Sequence, residues 1–290
     1  MQAIINECDL LIITVASGKG GTGKTTVAVN LAISLGHANV LDCDVEEPNA
    51  HTLLHPEDIR ITDVTVPTPV VDQEVCTLCG DCGKFCQFNA IFVGKTKVLV
   101  YDEICHSCGG CVLVCPEKAI EEKARKVGEI KSSKTGDVYL TYGDLNVGEP
   151  MAVPLIKAVK EHIVKREINI LDAPPGTSCT VIETVQESDF VILVTEPTPF
   201  GLHDLMMTVG VLDRLDVPYG VIINRSTIGD NETVKFLKER GIQVIMEIPF
   251  DRRIAELYSR GEPFVNELPE YRAKFQEVVR HIEETVRNGT

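Results

Sequence analysis

An apolar strand pattern that runs directly into a glycine-rich loop, and then into a helical pattern, constrains this fold most. Residues 10–16, LLIITVA, are apolar except for Thr14, as in a parallel strand covered on both faces. Residues 17–26, SGKGGTGKTT, follow at once and fit GxxxxGK[ST], and Thr26 to Leu35 has a helical pattern. A glycine turn without a ligand is the alternative, but a strand and a helix on either side favour a phosphate-binding loop.

The loop predicts a nucleotide site with a defined role for two of its residues. Lys24 is expected to bridge the β and γ phosphates, and the Thr25 hydroxyl to ligate Mg²⁺. Backbone N–H groups and the helix N-terminus supply the remaining positive potential. The predicted nucleotide-binding residues of the loop are Gly18, Gly20, Gly21, Thr22, Gly23, Lys24, Thr25 and Thr26.

Eight of the eleven cysteines form two copies of CxxCxxCxxxC. They are Cys76, Cys79, Cys82, Cys86, Cys105, Cys108, Cys111 and Cys115. Four thiolates also make a closed zinc site, but zinc ribbons pair two CxxC units and have no third cysteine in the run. The spacing is that of bacterial ferredoxins, in which the fourth cysteine ligates the other cluster. This crossed rule assigns Cys76, Cys79, Cys82 and Cys115 to one 4Fe-4S cluster, and Cys86, Cys105, Cys108 and Cys111 to the other.

The two cysteine runs belong to an internal repeat with an offset of 29 residues, in which Ala90 and Ile91 recur as Ala119 and Ile120. Each half is expected to contribute a hairpin strand, a cysteine loop and a short helix. The segment resembles a two-cluster bacterial ferredoxin domain of about 50 residues, which is too small to hold a core without its metal. Gln87 replaces the proline that usually follows the fourth cysteine, and its N–H is expected to raise the cluster potential slightly.

Lys19 gives the loop a second lysine, and KGGxGKT resembles the deviant Walker A motif of the MinD, ParA and nitrogenase iron protein family. The resemblance implies an ATPase that forms a homodimer on ATP binding, with Lys19 reaching the partner's nucleotide. Asp44 then resembles the catalytic aspartate that orients water, and Asp42 and Asp172 are expected to support Mg²⁺. Gly176 is placed to sense the γ-phosphate.

Later segments resemble the parts of this family that hold the base. Asn224 ends an apolar run as the adenine-reading asparagine does, and Pro249 and Asp251 lie in a segment like the loop over the same ring. Adenine is favoured over guanine by this resemblance, since no NKxD-like motif occurs in the sequence.

Strand and helix patterns alternate through the rest of the chain, which predicts a doubly wound, mostly parallel α/β sheet of the P-loop NTPase type with an inserted small α+β ferredoxin-like domain. The predicted elements are strands 190–195, 218–223 and 243–248 and helices 202–215, 231–240, 251–259 and 269–287. The predicted domain bounds are 1–69 and 123–290 for the ATPase and 70–122 for the insert. Thr65–Pro69 and Lys123–Lys134 are interpreted as linkers.

Charge and hydropathy exclude several partners. The formal net charge of −15 argues against nucleic acid. No stretch approaches the ~20 apolar residues of a spanning helix. The final amphipathic helix either docks on the sheet, which its mixed charges favour, or lies on a membrane surface. With clustered thiols and no signal-peptide pattern, we expect a cytoplasmic protein.

The other cysteines and the histidines lack ligand spacing. Cys179 follows the Asp172 segment, where the nitrogenase iron protein has an interface cluster ligand, but a small residue in a turn or a redox-responsive thiol is favoured. Cys8 and Cys43 are interpreted as buried fillers. His106 is interpreted as a solvent-facing residue of the second cysteine loop.

The sequence thus predicts an ATP-hydrolysing iron-sulfur protein whose nucleotide state is coupled to two 4Fe-4S clusters, with ATP and Mg²⁺ as the other cofactors. Electron transfer to a redox partner is the favoured function. The alternative is an iron-sulfur cluster carrier or assembly factor acting on an apo-protein partner, or a MinD-like positioning ATPase.

Overall fold

The computed structural model describes residues 10–289, so Cys8 lies outside the described residues. The chain divides into two compact units. The first unit comprises residues 10–61, 130–144 and 156–289, and the second comprises Thr62–Glu129 and Leu145–Leu155.

The strands, numbered along the chain, are β1 (Leu11–Ala16), β2 (Ala38–Asp42), β3 (Arg60–Val71), β4 (Ile91–Val93), β5 (Val98–Val100), β6 (Ile120–Thr135), β7 (Val138–Leu145), β8 (Ile168–Asp172), β9 (Phe190–Thr195), β10 (Tyr219–Asn224) and β11 (Val244–Ile248). The helices are α1 (Lys24–Leu35), α2 (Ala50–Leu54), α3 (Asp81–Phe85), α4 (Gly110–Leu113), α5 (Val153–Lys160), α6 (Cys179–Val185), α7 (Pro199–Leu215), α8 (Glu232–Arg240), α9 (Arg252–Ser259), α10 (Phe264–Glu267) and α11 (Glu270–Gly289). A short 3₁₀ turn spans Asp102–Ile104.

The first unit is built on a parallel sheet with the strand order β11-β10-β9-β1-β8-β2-β7, followed by β6. Each pair from β11 to β7 is parallel. Because β1 lies in the middle and is flanked by β8 and β9, the phosphate loop leaves the centre of the carboxyl edge of the sheet. Binding sites of open α/β sheets lie at this edge.

Two hydrocarbon cores cover the two faces of the sheet, as the alternation of side chains along each strand requires. In β9, Phe190, Ile192 and Val194 belong to one core, which includes α1 and α11. Val191 and Leu193 belong to the other core, which includes α6, α7 and α8. This confirms the predicted doubly wound α/β class.

The last helix packs on the first unit and does not present its apolar side to the surface. In α11, Phe275 and Ile282 have no exposed surface, and Val278 and Val279 are buried with them in the core that includes α1. Within residues 10–289, no helix combines the length and the hydropathy that a membrane span requires.

The second unit has a small core in which cysteines pack among aliphatic side chains. Its buried members are Cys82, Ile91, Val98, Cys111 and Ile120. The hairpin of β4 and β5 supplies Ile91 and Val98, and the start of β6 supplies Ile120.

The interpretation of Thr65–Pro69 and Lys123–Lys134 as linkers is wrong. The first lies within β3 and the second within β6. The two prolines of the first segment fit β3 because it ends the strand order and is an edge strand, where the missing N–H is tolerated. The charged residues of β6 mislead because much of this strand is exposed.

Candidate functional site

The phosphate loop is held in shape by a strand end far away in the sequence. Gly23 caps α1 with φ 94°, a left-handed conformation that favours glycine. A Cβ at this position would lie 2.5 Å from Nδ2 of Asn224, which donates a hydrogen bond of 2.7 Å to the carbonyl of Thr22. The predicted adenine-reading residue therefore also supports the loop, because its amide is bonded to the loop backbone.

A cavity of about 430 Å³ opens between this loop and the carboxyl ends of β10 and β11. Ten of the predicted site residues line it, namely Gly20, Gly21, Gly23, Lys24, Thr25, Thr26, Asp44, Asn224, Pro249 and Asp251. The positions that the sequence predicts to bind the phosphates and the base thus line one cavity of the first unit, which we call the nucleotide cavity.

Lys24 lies at the floor of the site in contact with acidic side chains. Its ammonium is 3.0 Å from Oδ2 of Asp44 and 3.4 Å from Oδ1 of Asp172, and its side chain is 7% exposed. Burial opposes the positive charge, but the two carboxylates outweigh burial and raise the pKa of Lys24 above its ordinary value. The lysine is therefore a fixed cation directed at the position of the phosphates.

Asp42 and Asp172 end neighbouring strands and are both fully buried, but their hydrogen bonding differs. Asp42 accepts backbone hydrogen bonds from Asp44, Asn49 and Ala50 at 2.9 to 3.1 Å. Neither oxygen of Asp172 has a hydrogen-bond partner among the described residues. Asp42 is thus bound by the backbone, whereas Asp172 accepts no backbone hydrogen bond from the described residues and is compensated by the Lys24 ammonium at 3.4 Å.

The environment of Asp172 fits a bound cation. Burial raises the pKa of this carboxyl, although Lys24 and the Thr25 hydroxyl lie close enough to oppose the shift. Because the pKa stays raised in spite of Lys24, the lysine compensates this buried carboxylate only in part, and a second cation would compensate the rest. The carboxylate of Asp172 thus lies beside the hydroxyl of Thr25, the predicted Mg²⁺ ligand, and carboxylate oxygens are ligands that Mg²⁺ prefers.

Lys19, the second lysine of the loop, lies outside the nucleotide cavity. With Gly18 and Thr22 it lines a separate recess against α7. Its ammonium is 4.0 Å from Oε1 of Glu196, and Oε2 of the same carboxylate accepts a hydrogen bond of 3.1 Å from Arg225. In this single chain, Lys19 is thus directed toward Glu196.

Asp251 contributes to the cavity wall without a free carboxylate. It caps α9 through the backbone N–H of Arg253 at 2.8 Å, and the guanidinium of Arg253 also binds it. The paired guanidinium holds the pKa of Asp251 below its ordinary value. Its carboxylate is therefore already paired with Arg253. The structure places Asp251 in the wall of the cavity, as predicted, but does not leave its carboxylate free for a ligand.

The eight clustered cysteines line two separate cavities of the second unit, four in each. The first cysteine site contains Cys76, Cys79, Cys82 and Cys115. The second cysteine site contains Cys86, Cys105, Cys108 and Cys111. These are the two sets that the crossed ferredoxin spacing predicts, because the fourth cysteine of each run lines the cavity of the other run.

Backbone N–H groups and burial act on these sulfurs in opposite directions. The N–H of Ala119 donates to Sγ of Cys115 at 3.3 Å. Burial raises the pKa of the Cys82 and Cys105 thiols and takes that of Cys111 to about 11, although backbone N–H groups oppose the shift. Across residues 10–289, no three His, Cys, Asp or Glu side chains form a group that could hold one metal ion.

The backbone of the second unit repeats with the same offset of 29 residues as the sequence. Leu78 and Ser107 have φ 59° and 53°, and Gly80 and Gly109, which cap α3 and α4, have φ 87° and 69°. Each cysteine loop therefore makes the same left-handed turns around its cavity. This is the geometry by which a loop turns backbone N–H groups inward around an anionic centre.

Comparison with known proteins identifies the family of the chain. The family model "CobQ/CobB/MinD/ParA nucleotide binding domain" matches residues 13–264. The chain belongs to this family. It is a P-loop ATPase of the MinD/ParA type.

Relatives of this MinD/ParA-type ATPase cover most of its length. "Uncharacterized protein MJ0579" of Methanocaldococcus jannaschii is 32% identical over 272 residues, which are 91% of this chain and 95% of the relative. The "Iron-sulfur cluster carrier protein" of Aquifex aeolicus is 25% identical over 283 residues, covering 89% of this chain and 63% of the relative. The cell division ATPase MinD of Pyrococcus furiosus matches with a TM-score of 0.56 and 22% identity over 95% of this chain and 99% of that chain, which shows a shared fold.

Several residues of the ATPase site were missed by sequence reasoning. Glu196 pairs with both Lys19 and Arg225, and Tyr258 and Phe264 line the nucleotide cavity. No motif contains them, because they come from helices and strand ends whose positions only the fold defines. Of the unassigned cysteines, Cys43 is buried and Cys179 is exposed at the start of α6.

Proposed function

We propose that this ATPase carries two 4Fe-4S clusters in its second unit and couples its nucleotide state to electron transfer with a redox partner. The observation that carries the proposal is the pair of cysteine cavities, each lined by four cysteines in the crossed combination of two-cluster ferredoxins. A bound 4Fe-4S cluster would supply one-electron redox chemistry.

The protein's own residues supply the conditions that such a group requires. Four thiols in each site match the ligand count of a 4Fe-4S cluster. Buried thiols with raised pKa values become thiolates when iron compensates their charge. Backbone N–H groups such as that of Ala119 donate to the ligand sulfur and thereby stabilise negative charge on it.

In the first unit, ATP is expected to replace the carboxylates as the partner of Lys24. The lysine now contacts Asp44 and Asp172, and the phosphates of ATP would compete for the same cation. Asp44, released from Lys24, is then free to orient the attacking water. Thr25 and Asp172, supported by Asp42, would hold Mg²⁺, which neutralises charge that develops on the phosphates.

We propose a homodimer as the ATP-bound form. The support is the position of Lys19, which lies outside its own nucleotide cavity and is 32% exposed. A lysine in this position can act on a nucleotide only after it leaves Glu196. A second copy of the chain, with its own loop facing this one, would provide that nucleotide.

Cluster transport is the second candidate function, and the names of relatives favour it. Besides the protein of Aquifex aeolicus, a 26% identical relative in Pyrococcus abyssi carries the name "Iron-sulfur cluster carrier protein". One cysteine of each site, Cys79 and Cys108, is exposed, which offers an acceptor a point of access. The partner would then be an apo-protein.

The two functions make different predictions for one anaerobic preparation. Purified protein is expected to contain about eight irons per chain, four in each of the two clusters. Electron transfer predicts that MgATP changes the rate at which dithionite-reduced protein reduces a one-electron dye, with the iron retained. Cluster transport predicts that iron moves to an apo-ferredoxin acceptor.

A variant of the phosphate loop tests whether the MgATP effect arises in the first unit. Lys24→Ala should abolish the MgATP effect, whereas the iron content should stay unchanged because the cysteines lie in the other unit. Rapid loss of iron to the acceptor would contradict electron transfer. Protein that contains no iron after anaerobic purification would contradict both functions.

A further inference from the structure

Three ring side chains lie at the rim of the second cysteine site. Phe85, Phe88 and His106 line the cavity that contains the four cysteines of this site. The rings of Phe88 and His106 are stacked, with centroids 3.5 Å apart and planes inclined by 9°. Phe85 packs against α4, because a Cβ at Gly110 would lie 2.0 Å from its ring. Phe85 and Phe88 are also 46% and 42% exposed, so these side chains border both the cavity and solvent.

The first cysteine site has a different rim, although the repeat supplies the same positions. With the offset of 29 residues, Phe88 corresponds to Glu117 and His106 corresponds to Thr77. Glu117 and Thr77 line the first cavity, and both are exposed. Among the described residues that line the first cavity, none has an aromatic ring. The two halves thus repeat their cysteines but not the stacked rings beside them.

The burial of the cysteines differs between the two sites in the same direction. In the second site, Cys105 and Cys111 are buried, whereas in the first site Cys82 is buried and Cys76 and Cys115 are partly exposed. Each site also has one exposed cysteine. The apolar shell around a metal site controls the access of solvent and solutes to the metal. The second site is therefore the more closed of the two.

We propose that the stack of Phe88 and His106 makes the second cysteine site the one that retains its cluster, and that the first site is the exchangeable one. The inference rests on the proposed function, in that both sites hold a 4Fe-4S cluster. On release to a chelator, each Fe–Sγ bond breaks, the chelator binds the iron, sulfide leaves as hydrogen sulfide, and the freed cysteine thiolates take up protons. No oxidant is needed. A chain that gives up the first cluster would keep a redox centre at the second site.

The test follows the order in which the two sites lose iron in the full-length wild-type protein. The anaerobic protein is incubated with EDTA, freed cysteines are alkylated with N-ethylmaleimide at intervals, and mass spectrometry identifies the alkylated peptides. We expect the first-site cysteines to be alkylated about three- to tenfold faster than those of the second site, because the stack must open before the chelator reaches the second cluster. Cys179, which is exposed and lies outside both sites, is the internal standard for alkylation.

Variants of the stack test whether the rings cause the difference. Phe88→Ala and His106→Thr each remove one ring and should speed iron release from the second site about three- to tenfold, with the first site unchanged. His106→Phe keeps a ring at this position and should release iron as slowly as the wild type. Phe92→Ala is the matched control, because Phe92 is a 57% exposed ring of β4 that is not among the residues lining either cysteine cavity. It should leave both rates unchanged.

Earlier alkylation of the first site in the wild type, with faster release from the second site in the two ring-removing variants, supports the proposal. Equal or reversed rates in the wild type overturn it, and so does second-site release that is unchanged in Phe88→Ala or His106→Thr. If Phe88→Ala fails to fold, His106→Thr decides, since His106 is exposed. A wild-type protein that contains no iron after anaerobic purification would instead mean that the proposed function itself is wrong.

Discussion

The two units differ in the residues that form their buried cores. The first unit buries two hydrocarbon cores, one on each face of a parallel sheet, with members such as Phe275 and Ile192 that have no exposed surface. In the second unit, five buried residues form a cluster with the cysteines, and two of them are Cys82 and Cys111. In the first unit the predicted ligand site lies beside the hydrocarbon cores, whereas in the second the predicted ligands are themselves members of a buried cluster.

This difference explains which unit should need its cofactor for stability. A unit of fewer than about 80 residues buries too little apolar surface to offset its conformational entropy with a margin. Cysteines add little hydrocarbon, and their buried thiols leave space that iron would fill. The nucleotide site, in contrast, lies at the edge of a sheet whose strands pack without it.

Iron removal should give the largest effect and should affect only one unit. With iron chelated anaerobically, backbone amides of α3, α4 and the hairpin β4–β5 should lose protection from hydrogen exchange by a factor on the order of 100 or more. Amides of β1, β8 and β9 should keep theirs. Hydrogen exchange measured by mass spectrometry before and after chelation gives both results in one experiment.

Nucleotide binding provides the control for this comparison. The iron-free protein should bind ATP within about threefold of the affinity of the intact protein, because the cavity is lined entirely by the first unit. Retained protection in the hairpin after complete iron loss would show that the apolar residues of the second unit suffice, and would break the comparison.

Lys24→Ala tests the opposite direction, in which the nucleotide site is lost and the cysteine sites are left intact. We expect ATP hydrolysis to fall by at least ~100-fold, because the only cation that contacts Asp44 and Asp172 among the described residues is removed from the phosphate site. Phosphate release measures hydrolysis, and iron content per chain measures the second unit. Lys84→Ala, which removes an exposed lysine of α3, is the matched control and should hydrolyse ATP normally.

The sequence predicted the first unit well where periodicity and local loop chemistry determine structure. The predicted strands 190–195, 218–223 and 243–248 correspond to β9, β10 and β11, because strands buried on both faces are apolar throughout. The predicted helices that cover them end within a few residues of the observed ones. β1 was predicted correctly for the same reason, because all of its residues are buried.

The sequence failed where an element is exposed or where a contact joins distant segments. β3 and β6 were mistaken for linkers because one carries prolines at a sheet edge and the other carries charges on exposed positions. The pairing of Glu196 with Lys19, and of Arg125 with Glu149, joins residues 177 and 24 positions apart, and no local pattern encodes it. The different hydrogen bonding of Asp172 and Asp42 could not be predicted either, since both residues end strands.

Asp172 and Asp42 allow a sharper test of whether the first unit is complete without its ligands. Asp172→Asn should raise the unfolding free energy of the first unit by about 1 kcal/mol, because burial of this carboxylate costs more free energy than its ion pair with Lys24 at 3.4 Å returns. Asp42→Asn should lower it by about 1 to 3 kcal/mol, since an amide cannot accept all three backbone hydrogen bonds. Both variants should hydrolyse ATP more slowly in the presence of Mg²⁺. Denaturant unfolding of the nucleotide-free protein distinguishes the two variants, because their unfolding free energies should change in opposite directions.

The pH dependence of the same measurement follows from the raised pKa of Asp172, with a second contribution from Asp42, whose pKa burial raises to about 7. The folded state holds its proton to a higher pH than the unfolded state, whose value lies near 3.8. Stability contributed by this group is therefore present at low pH and is lost as pH rises through the raised folded pKa. Asp172→Asn should flatten this fall, and Mg²⁺ should restore more stability to the wild type at high pH than at low pH. A fall that is unchanged in the variant would assign it to other groups.

The smallest expected effect compares the two halves of the second unit with each other. Ser107 and Leu78 occupy matching positions with left-handed backbone, which costs a non-glycine residue about 1 kcal/mol. Ser107 has a buried hydroxyl without a hydrogen-bond partner among the described residues, so Ser107→Gly should stabilise the iron-loaded second unit by about 0.5 to 1 kcal/mol. Leu78 packs against the cysteine core, so Leu78→Gly should lose more by cavity formation than it gains in backbone strain. The rate of iron release in denaturant measures both variants. Equal effects at the two positions would mean that the halves are energetically equivalent, in spite of their different surroundings.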